Sequence, residues 1–323
     1  ENERMIKPLQ PVIEIFYILA FVFLGLFTRM LAKGKKIEKP VEHFFESVNI
    51  FAVWAILPSI AFISIMKLET GEITGFLAAF LIGMFCSSVC LLLSILISFL
   101  RKESKEKILA ISLNSGFMNV AYLGLPAVYA VLGSEYLAPA IAFALGVSIL
   151  HVFIGTLLCN MLTGRGSRIP PLLARVFSFP AVFATIVAFF FLFFNIHISD
   201  YAIEFFDLYL SPVFLALMLL FTGYLLTVTG PRSHIRDLSR VSLFRFIIGP
   251  LATSLTLLLL GFDFKSALTP KAALLLSAMP PGTFNLILAK NFKLDVEYYG
   301  ALMFHTTLIF VFLVLPFLSA FIL

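Results

Sequence analysis

Charge is scarce in this chain, and acid is scarcest in its apolar runs. Only 13% of the 323 residues are Asp, Glu, Lys or Arg, against 61% hydrophobic, and the mean hydropathy is +1.05. Soluble domains carry about 25% charged residues, so a soluble globular protein is excluded. Eight of ten apolar runs hold no Asp or Glu at all. That argues against the carboxylate chemistry with which crossed-helix sodium-proton exchangers hold a cation. It also removes the paired acids of an intramembrane protease, so no enzyme and no cofactor are expected. The three cysteines, Cys86, Cys90 and Cys159, all lie within apolar runs. Cys86 and Cys90 share a helix face at i, i+4 with no His or acid beside them, which reads as packing rather than a disulfide or a metal site. Glu1 to Gln10 has neither a basic start nor a small-residue cleavage site, so no secretory signal is expected. Nothing is left for a soluble domain, and no nucleic-acid partner is expected.

What is present is hydrophobic length. Runs of about 20 apolar residues fall at 12–31, 47–66, 73–100, 108–132, 136–162, 174–194, 203–229, 241–261, 268–292 and 298–321. Basic residues cluster in the loops after odd-numbered runs: Lys33, Lys35, Lys36 and Lys39; Arg101, Lys102, Lys105 and Lys107; Arg165 and Arg168; Arg232, Arg236 and Arg240; Lys290 and Lys293. Even-numbered loops hold only Lys67, Lys265 and Lys271. By the positive-inside rule the odd loops are cytoplasmic and both termini lie outside, in a cell or plasma membrane.

Two of these spans cannot be continuous helices. Span 9 carries Ser277-Ala278-Met279-Pro280-Pro281-Gly282-Thr283-Phe284-Asn285 at its centre. Proline lacks an N–H and clashes with the carbonyl four residues back, which frees the carbonyls of Leu276 and Ser277. In hydrocarbon such groups must be buried in protein or line a wet cavity. Span 4 carries a matching stretch, Asn114-Ser115-Gly116-Phe117-Met118-Asn119-Val120-Ala121-Tyr122-Leu123-Gly124-Leu125-Pro126. Prolines recur at matching places in both halves: Pro11 with Pro180, and Pro58 with Pro212, the latter pair read as structural kinks. Glu135-Tyr136 and Glu297-Tyr298 follow the two broken spans 162 positions apart, and the same shift sets Asn119 against Pro281. Five helices repeated after an odd number of spans must be inverted, as in many secondary transporters. The expected architecture is an all-α integral membrane fold of ten transmembrane helices in two inverted five-helix repeats, residues 1–162 and 172–323. A short basic linker, 163–171, joins them. The stretch Gly230 to Arg240 is expected to include a cytoplasmic helix, Asp237 to Arg240, leading into span 8.

The run Asn119-x4-Gly124-x-Pro126, Leu57-Pro58, the stretch from Ser211-Pro212 to Gly223, and Ala278-Met279-Pro280 through Ala289-Lys290 to Thr306-Thr307 together resemble the auxin efflux carrier family. The family includes the plant PIN auxin exporters and prokaryotic carriers of malonate and other organic acids. The resemblance covers essentially the whole chain, and the order of the motifs carries it. It implies spans 4 and 9 crossing at their breaks, a dimerising scaffold of spans 1, 2, 6 and 7, and an elevator-like transport domain of spans 3–5 and 8–10. The family's prolines and asparagines at the breaks map onto Asn119, Pro280 and Pro281. Unlike many plant members, this chain has no long hydrophilic loop between its halves.

At a broken helix the second half begins with free N–H groups and a positive dipole end, which hold an anion without a charged side chain. Asn119 is suited to cap a restart at Val120, and Pro281 to the first position of the other half-helix, leaving the Gly282 and Thr283 amides to point into the crossing. Asn114, Ser115, Ser277, Thr283 and Asn285 complete the expected polar pocket, with Phe117, Tyr122 and Phe284 as apolar walls and Pro126 closing the motif. His305, beside Thr306-Thr307, and next His151 are the candidates for proton coupling. Arg245 and Lys271 read as snorkelling anchors, and Glu14, Glu204 and Asp207 as interfacial. The expected function is transport of a small organic anion, auxin-like or a dicarboxylate such as malonate. The alternatives are a sodium- or proton-coupled symporter of a neutral or bile-acid-like solute, and a transport-inactive sensor.

Overall fold

A computed structural model of the chain describes residues 10–164, 180–226, 235–264 and 267–322. The expected linker beyond Gly164, the start of span 6, and Gly230 to His234 lie outside the described residues. Among the described residues all regular structure is helical, with a single isolated β-bridge. The segments are α1 (Gln10–Ala32), α2 (Glu38–Met66), α3 (Ile73–Leu100), α4 (Lys105–Gly116), α5 (Val120–Leu132), α6 (Ser134–Thr163), α7 (Pro180–Phe193), α8 (Asp200–Leu225), α9 (Ile235–Leu259), α10 (Leu268–Ser277), α11 (Phe284–Asn291) and α12 (Val296–Ile322). Seven of them, α1, α2, α3, α6, α8, α9 and α12, are long and apolar enough to cross a bilayer. The chain is an integral membrane protein. The residues of expected span 4 are divided between α4 and α5, and those of span 9 between α10 and α11.

Proline shapes these helices in a recurring way. Among the described residues six π turns interrupt the helices, at Ala52–Ile56, Val120–Gly124, His151–Gly155, Phe206–Leu210, Phe244–Ile248 and Phe310–Val314. Five of the six end two residues before a proline: Pro58, Pro126, Pro212, Pro250 and Pro316. A proline ring cannot share space with the carbonyl four residues back, and widening the preceding turn to i, i+5 relieves that clash while keeping most of the bonds. Pro58 and Pro212 are thus structural, as their setting in the sequence implies.

Helices in lipid gain little from hydrophobicity when they associate, so close backbone approach matters more. Gly25 of α1 lies against the Leu220 carbonyl of α8, and Gly223 of α8 against the Val22 carbonyl of α1. A Cβ at either glycine would collide with backbone. The same reciprocal arrangement joins α3 and α6, where Gly83 faces Phe143 O and Gly146 faces Phe80 O. The main packed pairs are α1 with α8, α2 with α7, and α3 with α4, α6, α9 and α10. Polar ties hold the outer ends: the Lys67–Asp207 ion pair joins α2 to α8. Around α9, Arg240 binds Glu103 at 2.7 Å and Ser98 at 2.7 Å, while Asp237 takes Lys107 at 3.1 Å and the Tyr298 hydroxyl at 2.8 Å. Asp237 to Arg240 is helical as expected, and runs unbroken into α9.

Candidate functional site

The two interruptions meet. α4 stops at Gly116, Phe117 is extended (φ −114°, ψ 122°), and the chain resumes as helix at Val120. α10 stops at Ser277, and α11 starts at Phe284. Between them Asn119 N–H donates to Pro280 O at 2.8 Å and Gly282 N–H to Phe117 O at 2.9 Å, with Met118 opposite Pro281. In this antiparallel pattern the two central residues exchange no bond with each other. Pro281 therefore stops a helix without leaving the pairing short of a donor. Gly282 allows the approach, since a Cβ there would stand 3.0 Å from Met118 O. Asn119 turns the chain back into helix through an inverse γ-turn (φ −80°, ψ 66°), with Val120 N–H bound to Met118 O at 2.9 Å.

Three details differ from the sequence expectation. Asn119 occupies the cap position of α5, but its side chain makes no capping bond. Pro281 is not the first residue of the second half-helix; Thr283 holds the cap position and Pro281 is drawn into the pairing. The Gly282 amide does not point into open space, because Phe117 O takes it. Val120 N–H is taken by Met118 O, Asn285 N–H by Gly282 O at 3.1 Å and Leu286 N–H by Thr283 O at 3.1 Å, so the donors left over by position are the amides of Ala121, Tyr122 and Leu123 on α5 and of Thr283 and Phe284 at the start of α11.

Behind the pairing runs a directed chain of polar side chains. Asn114 Nδ2 donates to Ala110 O at 2.8 Å, which makes its Oδ1 an acceptor. Asn285 Nδ2 donates to that Oδ1 at 3.3 Å and to Leu113 O at 3.2 Å. Its own Oδ1 therefore accepts, and His151 Nε2, at 2.7 Å, carries the proton. The imidazole stacks on Phe117 (4.1 Å between centroids, 8°) and takes the Phe284 ring edge-on at 4.9 Å. One amide thus links α4, α6 and α11 at the level of the breaks.

A cavity of about 650 Å³ opens beside the pairing, within the usual size of small-molecule sites, roughly 300–1,000 Å³. Asn119, Tyr122, His151, Gly282 and Thr283 line it, with Ala121 and Phe284, so the first turns of both α5 and α11 face it. Among the described residues, no Asp, Glu, Lys or Arg lines it. Asn114, Ser115, Ser277, Pro280, Pro281 and Asn285 are buried behind this surface. Ser277 Oγ is bound to Leu274 O at 2.7 Å, and Ser115 Oγ has no partner among the described residues. Pro126 shapes the α5 bend and does not reach the cavity. His305 does not line it, and its Nδ1 lies 2.8 Å from Ala301 O in its own helix, so the structure brings His151 and not His305 to the cavity wall.

Sequence reasoning missed Asn49, Ser148, Thr156 and Asn291, which also line the cavity. Asn49 is the one amide in apolar span 2, and its Oδ1 accepts from the Tyr122 hydroxyl at 2.5 Å. That isolated amide was the available signal. Arg245, expected to snorkel, is instead fully buried. Asp207 lies part-buried in its ion pair and Glu204 exposed, in keeping with an interfacial reading.

Comparison with known proteins matches residues 9–318 to the family described as membrane transport protein. The chain belongs to that family. It is the auxin efflux carrier family that the order of the motifs resembles. Among similar proteins, an uncharacterized transporter of Methanocaldococcus jannaschii is 27% identical over 305 residues, covering 92% of this chain and 94% of the relative. An uncharacterized transporter of Methanothermobacter thermautotrophicus is 25% identical over 296 residues, covering 91% and 93%. The match runs from the start of α1 into α12.

Proposed function

We propose that this protein is a secondary carrier of small organic anions, such as malonate or an indole acid. Its site is the cavity beside the paired breaks, and the observation that carries the reading is that cavity's make-up. It is polar without a charged side chain, and two helix starts border it. Each start presents unbonded N–H groups and about half a positive charge, worth roughly 0.3–1 kcal/mol toward an anion and up to about 2 when partly buried. A carboxylate accepts from the leftover amides at the starts of α5 and α11, among Ala121, Tyr122, Thr283 and Phe284, while Asn49, Asn119 and Asn291 supply orienting donors and Tyr122 and Phe284 the apolar walls. His151 is the group for proton coupling.

The proposed architecture is ten spans in two inverted repeats with spans 4 and 9 crossing, both termini outside and odd loops cytoplasmic. Its support is that α4–α5 and α10–α11 each make one broken span, and that π turns recur in matching members, α2 with α8 and α6 with α12. The packing of α1 with α8 and α2 with α7 supports a scaffold of spans 1, 2, 6 and 7, through which two copies associate. An elevator movement of the remaining spans then breaks a small set of ties: Tyr122 to Asn49, Thr222 Oγ1 to Tyr122 O at 3.1 Å, and the Tyr129 hydroxyl to Asp207 O at 3.5 Å. Each bond nets about 0.5–1.5 kcal/mol, few enough for thermal exchange between states.

A stabilisation screen of the purified protein tests the reading. Malonate, indole-3-acetate and their neutral amides are compared, a ligand at 100 Kd adding about 2.7 kcal/mol. Acids that stabilise where their amides do not support the anion site; equal or stronger effects of the amides favour the neutral-solute reading.

A further inference from the structure

Arg245 sits on the π turn of α9 with 0% exposure, and its Nε, Nη1 and Nη2 have no hydrogen-bond partner among the described residues. A guanidinium withdrawn from water needs compensation. The apolar runs that α3, α4, α6, α9, α10 and α12 draw on contain no Asp or Glu to provide it. Flanking it are two cysteines, each set against an α9 carbonyl: Cys86 Sγ lies 3.5 Å from Gly249 O and Cys90 Sγ 3.7 Å from Phe244 O. The remaining negative element is the end of α10. Pro281 has no N–H, so the Ser277 carbonyl four residues earlier has no helical donor, and the last carbonyls of a helix carry about half a negative charge. Gly249 brings the two together. A Cβ built on it would lie 2.8 Å from Ser277 O, 3.3 Å from Phe244 O and 3.4 Å from Arg245 Nη2. The missing side chain lets α9 close on the Ser277 carbonyl, with the guanidinium beside the same point.

We propose that Arg245 is a positioning residue whose charge holds the Ser277 end of α10 against α9 at Gly249, thereby fixing the Pro280–Gly282 segment and biasing the adjoining cavity toward anions. The site gains a fixed positive charge without any charged side chain reaching the substrate. The second half of this proposal rests on the organic-anion reading above.

The test compares Arg245→Gln and Arg245→Lys in the full-length protein by hydrogen exchange and by malonate uptake into liposomes. In Arg245→Gln, exchange rises about tenfold at the Asn119 and Gly282 amides, whose bonds tie the breaks together, and stays unchanged in α1. KM for malonate rises about tenfold with little change in maximal rate, the mark of lost ground-state binding. Arg245→Lys restores most of both. Unchanged exchange at the breaks, or a lysine variant as impaired as the glutamine one, overturns the proposal. Should Arg245→Gln fail to fold, Gly249→Ala wedges α9 away from the Ser277 carbonyl with the charge intact, and unchanged exchange at the breaks there overturns it too. Wild-type protein that moves no organic anion overturns the anion bias and the transport reading, while the exchange result still decides the positioning role.

Discussion

The bond between His151 and Asn285 is the tightest side-chain contact behind the paired breaks, and a double-mutant cycle isolates it. Asn285→Ala removes the acceptor of His151 Nε2–H at 2.7 Å and the donor to Leu113 O and Asn114 Oδ1 at 3.2 and 3.3 Å. A buried polar group left unmet costs about 1–3 kcal/mol, whereas interhelical hydrogen bonds in membranes average about 0.6 and reach about 1.7, because unfolded chains also find partners. The short bond to the buried imidazole belongs near the upper figure, at about 1.5 kcal/mol, and the two long bonds together add about 1. Asn285→Ala should therefore destabilise by about 2.5 kcal/mol. His151→Phe keeps the stack on Phe117 and deletes the ring nitrogen, for a loss of about 1.5. The double variant should lose about 2.5 rather than about 4, a coupling of about 1.5 kcal/mol. Reversible unfolding of the purified protein in mixed micelles reads each corner of the cycle. Losses that add to within about 0.5 kcal/mol would refute a direct bond between the two side chains.

Two further substitutions probe the pairing and its surroundings. Gly282→Val puts a branched side chain 3.0 Å from Met118 O at the first carbon alone, so the two bonds between the breaks should open. Amide exchange at Asn119 and Gly282 should rise by at least ~10-fold while α8 stays protected; protection equal to wild type at both amides would contradict the described pairing. Tyr122→Phe deletes the bond to Asn49 and should cost about 0.5–1.5 kcal/mol of stability in micelle unfolding. If that bond ties two parts that move past each other, the same variant should raise the maximal transport rate; a lower rate at unchanged KM would argue against such a tie.

How far the sequence could be read depended on whether a feature was local. Pro280-Pro281-Gly282 announces its break because proline's missing N–H acts within one turn, and the span 4 stretch matches it in composition. The π turns were not legible, since an X–Pro pair predicts a kink without saying that the preceding turn widens to absorb it. Arg245 was misread because its burial follows from tertiary packing: α3 and α4 pack against the π turn that carries it. His305 looked more polar than His151 because of Thr306 and Thr307, yet those hydroxyls bind Leu302 O and Met303 O in their own helix. Asn49 lies about seventy residues from Tyr122, and only tertiary packing makes them neighbours.

Transport of an organic anion through the site at the paired breaks is tested most directly by uptake of labelled malonate and indole-3-acetate into liposomes by wild type and Asn119→Ala, with and without pH and sodium gradients. Saturable uptake of at least one acid is expected, reduced at least ~10-fold in the folded Asn119→Ala variant. Equal uptake by that variant would remove Asn119 from the site, and ligand binding without any flux would contradict the claim and leave a sensor on a carrier fold.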